Sequence, residues 1–422
     1  MKRAVIVTTD GLRSDMISAE LTPRLKRFEA EAERFADYRT MFPSCTRVVS
    51  ASLATGCFPA RHGLQGNSVA LLEDGRLIAR DAGDPDFLQH KRRVTGRSLS
   101  MPTLAERVSA HGGAIIFSNV SPGAAYAHDP DGYGHVYHRS GSFGPGRTPV
   151  ADGDHLDVTL DVAGDRRMTE RFIDEVLTRR RPALSVLWLG EPDHIQHEMA
   201  LGSPAHLAVL AAADAHAGLV IDAVARLSAA GDDVLLCVGS DHGHQTVDGV
   251  IDVDAELIAA GLKASPASGD VVAASNGTSV LIYVHPDHAD RVSNIRTFLD
   301  GCGWAGRVFG PGELMEVGQA PDAALAVAVS MRASETPNAF GILGSSLAAK
   351  PAQGKADRLG CGQHGGLGRY EQSPFMMISG AGFAAGAVRD APGRVIDVAP
   401  TVLAHLGLPC ADVDGRPLQR PR

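Results

Sequence analysis

No two cysteines in this chain of 422 residues stand in CxxC spacing: Cys45, Cys57, Cys237, Cys302, Cys361 and Cys410 are scattered. That argues against a zinc finger or a disulfide framework, and free thiols in a reducing, cytoplasmic setting are expected. A basic surplus is missing too. With a formal net charge of −9, the chain has little with which to neutralise a phosphate backbone, so stable nucleic-acid binding is not expected beyond a local basic pocket. Long apolar runs are also lacking: the opening Met-Lys-Arg-Ala-Val-Ile-Val passes straight into a polar turn, and neither a signal peptide nor a membrane span is expected. Tandem repeats and long low-complexity tracts are absent, and only 349–357 reads as a flexible linker. What remains is 44% hydrophobic and 21% charged, a globular composition longer than one ordinary domain, with nothing that fixes an oligomeric state.

Short apolar, β-branched runs recur at 3–10, 113–118, 183–189, 234–240 and 373–379, and helical patterns appear at 22–33, 101–110, 168–179 and 205–229. This alternation predicts an α/β fold, a three-layer α/β/α sandwich around a mostly parallel central sheet. Functional residues in such sheets gather at the carboxyl ends of the strands. From 247 to 360 the composition turns to Ala, Gly, Ser and Pro, with its own strand at 278–284 and helix at 289–299. The expected organisation is a core of residues 1–246 and 361–422, closed by a helix within 394–408, carrying an inserted smaller α+β cap domain over 247–360.

Five segments place metal-ligand residue types after an expected strand, at a helix start or between glycines. Asp10, before Gly11, is a carboxylate at a strand tip, although Asp-Gly is also an ordinary turn. The small-residue run from Pro43 to Gly56 enters a helix with Thr46 near its N-terminus. Backbone N–H groups there favour an anion, and Thr46 or Ser44 would equally serve as a helix cap. Asp193 and His197 are four apart, on one face of a helical turn, suited to chelating one ion or to hydrogen-bonding each other, while His194 points elsewhere. In Ser240-Asp241-His242-Gly243-His244, Gly243 permits a tight turn in which Asp241 and His242 face one ion; a capping Asp beside a surface His is the alternative. His364, in Gly362-Gln363-His364-Gly365-Gly366, is either a ligand or an exposed loop histidine.

In this order, and together with Phe42-Pro43, Thr55-Gly56, His62-Gly63, Asn67 and the ending Asp397-Val-Ala-Pro-Thr-Val-Leu, the pieces resemble the nucleotide pyrophosphatase/phosphodiesterase branch of the alkaline phosphatase superfamily, which also includes phosphonoacetate hydrolase. The resemblance covers nearly the whole chain. It implies a metal-dependent hydrolase of phosphodiester or pyrophosphate-type bonds, acting on a small-molecule phosphorus ester. It assigns Asp193, His197 and His364 to one divalent ion and Asp10, Asp241 and His242, completed by Thr46, to a second. The ligand types suit Zn²⁺, with Mn²⁺ as the alternative. Thr46 is then the nucleophile, its hydroxyl activated by coordination, and a covalent phosphothreonine follows.

Two departures from that pattern bear on the substrate. Arg47-Val48-Val49 follows Thr46 where the family commonly has an Asn that contacts a phosphoryl oxygen, leaving Arg47, Asn67 or a cap residue for that contact. The segment 114–123 has no lysine of the kind phosphonoacetate hydrolases are expected to bring to a carboxylate, so a phosphonate substrate is the lesser expectation. A phosphomonoesterase is a further alternative, but a monoester needs more cationic donors than the motifs supply. The basic run Lys91-Arg92-Arg93 is either a solvated loop or an arm over the cleft. Cys45-Thr46-Arg47 does not fit a sulfatase, and a non-catalytic metal-binding homologue would be expected to have lost Thr46 or a ligand, none of which is missing.

Overall fold

A computed structural model describes residues 2–322 and 324–420. The strand Lys2–Thr9 is buried beyond its first residue, and its side chains alternate between two cores, Ala4 and Ile6 facing one, Val5 and Val7 the other. A strand apolar on both faces belongs in the middle of a sheet. Parallel strands flank it, with Ile6 opposite Val186 of Leu184–Leu189 and opposite Cys237 of Asp233–Gly239. Ala114–Ser118 and His135–Tyr137 extend the parallel set on one side, whereas Met376–Ser379 joins Asp233–Gly239 antiparallel on the other, within a sheet of ten strands. Helices Thr46–Thr55, Leu104–Val108, Pro122–Ala127 and Val398–Leu406 cover one face. Pro23–Phe28, Val162–Arg171 with its π-helical continuation to Arg180, and Pro204–Ala229 cover the other. The three-layer sandwich is the fold the sequence predicts.

Two elements differ from expectation. The helix over 22–33 stops at Phe28, because Glu33 enters a strand, Glu33–Phe35, where its fully buried carboxylate accepts hydrogen bonds from Arg389, Arg420 and the Ala384 amide. Tertiary pairing overrides local helix preference there. The helix Pro204–Ala229 is long and apolar enough to cross a membrane, a property the sequence reading does not register. In this fold Leu210, Ala217, Val220 and Ile221 pack on the sheet, and buried Asp214 accepts from the Arg24 and Leu25 amides at the start of helix Pro23–Phe28.

The segment 247–360 contains an antiparallel sheet of Val271–Ser275, Ser279–Val284, Leu325–Met331 and Ala305–Phe309. One face of this sheet, with Val280, Ile282, Val327 and Val329, buries Ile295 and Leu299 in a core of its own. The opposite face, with Ala274, Leu281, Tyr283 and Ala328, merges into the core that holds helix Thr46–Thr55. A second small sheet, Ala333–Pro337, Leu343–Ala349, Gln245–Ile251 and Gly362–Gln363, crosses the compositional shift at 247 and pairs Gln245 with Gln363. That pairing returns the chain, after more than a hundred residues, to the place it left beside His244.

Glu33 yields a stability prediction. Burial alone would raise its pKa, but the hydrogen bonds from Arg389 and Arg420 hold it at about 2, below the ordinary 4.5. Its stabilisation is therefore complete above about pH 4.5 and is lost as pH falls towards 2. Glu33→Gln should cost about 1–3 kcal/mol at neutral pH and flatten that acid limb, read by urea unfolding at several pH values; an unchanged limb would show that the carboxylate is not engaged.

Candidate metal centre

Three neighbouring parallel strands, Asp233–Gly239, Lys2–Thr9 and Leu184–Leu189, end on the same side of the sheet, and the turns after them carry Asp241 and His242, Asp10, and Asp193 and His197 respectively. Asp10 follows the central strand directly. Its Oδ2 accepts from Trp188 Nε1 at 2.9 Å, while Asp241 Oδ1 accepts from the Gly11 amide at 3.0 Å. The other oxygen of each, Asp10 Oδ1 and Asp241 Oδ2, is buried with no hydrogen-bond partner. Both face His242 Nε2, at 3.5 and 3.1 Å. Gly11 has φ of 70°, and a Cβ there would collide with the His244 imidazole, so only glycine lets the chain turn at this tip.

Two buried carboxylates with free oxygens converging on one point repel each other and are poorly solvated. Burial first, then the charges of Asp241 and Asp193, push the Asp10 pKa well above the ordinary carboxylate range; burial likewise raises Asp241. A divalent cation relieves this strain, and the donor set of two carboxylates and an imidazole suits one. The residues therefore fit a metal ion.

A second group lies alongside. Asp193 Oδ1 is 2.7 Å from His244 Nε2, 3.4 Å from His197 Nε2 and 3.6 Å from His364 Nε2. Candidate ligand atoms of Asp193, His242, His244 and His364 lie within 4.8 Å of one another, as do those of Asp10, Asp241 and His242. Burial would raise Asp193, but His197, His244 and His364 together hold it well below the usual range. Burial pushes His197 and His364 down, towards the neutral form that binds metals. Their orientation comes from the backbone. Nδ1 of His197 lies 3.0 Å from the Gly362 carbonyl, that of His364 2.6 Å from Ser44 and that of His242 3.1 Å from Gly243; Nδ1–H donation there leaves each Nε2 lone pair facing the cluster.

Thr46 begins helix Thr46–Thr55, with its Oγ1 3.1 Å from His242 Nε2. The preceding turn is pinned to the His364 loop, since Ser44 Oγ donates to the Gly366 carbonyl and accepts from the Gly365 amide. At Gly365, φ of 132° and contact with the Asn276 carbonyl leave no room for a side chain. Asn67 Oδ1 accepts from the Arg47 amide at 3.2 Å, and Asn276 Oδ1 receives the amides of Asn67 and Ser68.

All seven residues expected from the sequence as metal ligands meet at this one place; Asn67 lies beside the start of the Thr46 helix, and Arg47, in its first turn, directs its side chain towards Gly83. His194 turns away, towards Glu191 and Glu198. Lys91-Arg92-Arg93 is neither loop nor arm: it lies on helix Phe87–Thr95, where buried Lys91 donates to the Ser98 carbonyl and Arg92 pairs with Asp131. Sequence reasoning misses His244, although it stands two residues after His242, and Trp188, whose hydrogen bond to Asp10 arises from strand pairing, Trp188 lying opposite Thr8.

The profile of the type I phosphodiesterase / nucleotide pyrophosphatase family matches residues 4–302. Among solved structures, murine ectonucleotide pyrophosphatase/phosphodiesterase 5 is similar at 17% identity, TM-score 0.69, over 98% of this chain and 97% of that one. The human protein of the same name gives 14% and 0.69, over 98% and 97%. Phosphonoacetate hydrolase from Sinorhizobium meliloti gives 18% and 0.66, over 96% of each chain. No curated protein matches by sequence.

The hydrogen bond from Trp188 generates a test of the centre. Trp188→Phe keeps the ring in the core but frees Asp10 Oδ2 to rotate. Metal affinity should fall about 10–100-fold, as for other residues that orient ligands, measured by calorimetric titration of the metal-free protein with Zn²⁺; wild-type affinity in the variant would exclude that orienting role.

Proposed function

This chain belongs to the type I phosphodiesterase / nucleotide pyrophosphatase family, and from that premise we propose that it is a two-metal phosphodiesterase working through a covalent phosphothreonine on Thr46. The observation that carries the reading is the pair of unpartnered inward oxygens, Asp10 Oδ1 and Asp241 Oδ2, set around His242 next to the Thr46 hydroxyl. Asp10, Asp241, His242 and Thr46 would hold one divalent ion and Asp193, His197 and His364 the other, with Zn²⁺ favoured by the mixture of carboxylate and imidazole donors. When bound, the ions lower the pKa of the Thr46 hydroxyl and neutralise charge on the phosphoryl oxygens.

The chain's own residues supply the rest. Thr46 Oγ1 attacks phosphorus, the bond from phosphorus to the leaving alcohol breaks, and water then cleaves the phosphothreonine to free Thr46 again. Backbone N–H groups at the start of helix Thr46–Thr55 favour the anionic group during both displacements. Asn67, held beside them by Asn276 and the Arg47 amide, would contact a phosphoryl oxygen. His244 hydrogen-bonds Asp193 and fixes the carboxylate that His197 and His364 share. A structure of the murine relative has an inactive threonine-to-alanine variant in complex with AMP, which supports a threonine nucleophile and a nucleotide-derived substrate in this chain. The free cysteines suit a cytoplasmic location.

Two outcomes are expected. Thr46→Ala should lose at least ~10²-fold in kcat while elemental analysis still finds metal on the protein; retention of more than about a tenth of the rate would remove Thr46 from the chemistry. On one Zn²⁺-loaded preparation, kcat/KM for bis(p-nitrophenyl) phosphate should exceed that for p-nitrophenyl phosphate. A monoester advantage above about tenfold, ~1.4 kcal/mol in the transition state, would overturn the diester reading.

A further inference from the structure

Every amide from His364 to Gly368 ends on a side chain. His364 donates to Gln363 Oε1 at 3.0 Å, Gly365 to Ser44 Oγ at 2.8 Å and Leu367 to Ser330 Oγ at 2.9 Å. Gly366 and Gly368 donate to the opposite oxygens of a single carboxylate, Glu371, at 2.9 Å each. The segment belongs to no helix or strand, so these side chains are what hold its backbone in place. The fit is close: a Cβ at Gly366 or Gly368 would meet Glu371 Oε1 at 2.9 or 2.6 Å.

Glu371 is 1% exposed, and its contacts reach the other parts of the centre. Oε2 accepts from the hydroxyl of Thr278 in the inserted segment and lies 3.3 Å from Ser44 Oγ, in the turn before Thr46. The same Ser44 supplies the carbonyl 2.6 Å from His364 Nδ1. The main-chain carbonyl of Glu371 accepts from the Gly243 amide at 3.0 Å, directly after His242. Burial raises the Glu371 pKa, and the donors from Thr278, Gly366, Gly368 and Ser44 oppose it by favouring the carboxylate. None of these partners is a ligand side chain or the Thr46 hydroxyl. The carboxylate is therefore placed to hold the site rather than to take part in its chemistry.

We propose that Glu371 is a positioning residue of the metal centre, whose side chain sets the His364 imidazole against the turn before Thr46. Asp10, Asp241 and His242 do not depend on that side chain, because Glu371 meets their turn only through its main-chain carbonyl. This role deepens the two-metal reading and rests on His364 being a ligand.

Glu371→Gln keeps the shape of the side chain. Because Gly366 and Gly368 use opposite oxygens, either orientation of the new amide turns an NH₂ group towards an N–H donor. Metal-free protein is titrated calorimetrically with Zn²⁺, and NMR of isotope-labelled histidines in the same samples follows the His364 Nδ1–H proton, identified by its loss in His364→Ala. In Glu371→Gln this signal should vanish, and the affinity for one equivalent of Zn²⁺ should fall about 10–100-fold while the other is unchanged. Glu33→Gln is the control, a buried carboxylate whose partners are Arg389, Arg420 and the Ala384 amide; it should lose stability but keep both the signal and the affinities. An unchanged signal in Glu371→Gln overturns the role, as does an equal loss in Glu33→Gln. Should Glu371→Gln fail to fold, Thr278→Val decides, since it removes only the hydroxyl between the carboxylate and the Gly366 amide; unchanged signal and affinity there overturn the role. If His364→Ala binds Zn²⁺ as wild type does while Glu371→Gln still loses the signal, the ligand reading fails and the positioning of the imidazole stands. Weakened Zn²⁺ binding in His364→Ala beside a wild-type signal in Glu371→Gln gives the reverse.

Discussion

The arrangement of the site follows from the repulsion between Asp10 and Asp241, two buried carboxylates at the tips of adjacent parallel strands. Each has one oxygen tied down, by Trp188 Nε1 or the Gly11 amide, and one left free. Tying the outer oxygens fixes the direction of the inner ones, so the repulsion cannot be escaped by rotation. It can be relieved by a proton or by a cation. The three nearby imidazoles, held towards the neutral form by burial, offer lone pairs, a donor set that fits a cation.

The rest of the centre is held by backbone. The carbonyls of Ser44, Gly243 and Gly362 set the three imidazoles that carry an Nδ1 contact, and two of these carbonyls lie far along the chain from the residues they orient. The pairing of Gln245 with Gln363 makes this possible by bringing the end of the inserted segment back to its beginning. A helix start at Thr46, a glycine turn at Gly365 and the Asn276 side chain then lock the turn before Thr46 to the same loop.

Much of this was legible in the sequence because strand tips announce themselves. Apolar runs ending in Asp10, before Asp193, and in Ser240-Asp241-His242 mark both the strand and the side chain it delivers, and the core layers follow from the alternation of strands and helices. Residues whose roles arise from pairing between distant segments were not legible. Trp188 looks like any buried aromatic until the strand register sets it against Asp10. Glu33 reads as helical for the same reason, since Arg389 and Arg420, which draw it into a strand, are more than 350 residues away.

The inserted segment has one face in a core of its own and the other in the core beneath the Thr46 helix. Lifting it would bring side chains such as Leu281 and Tyr283 into water, at roughly 1.5–3 kcal/mol for each large apolar group. That shared core ties the insert to the sandwich as a fixed wall, and on this packing the two would be expected to unfold together.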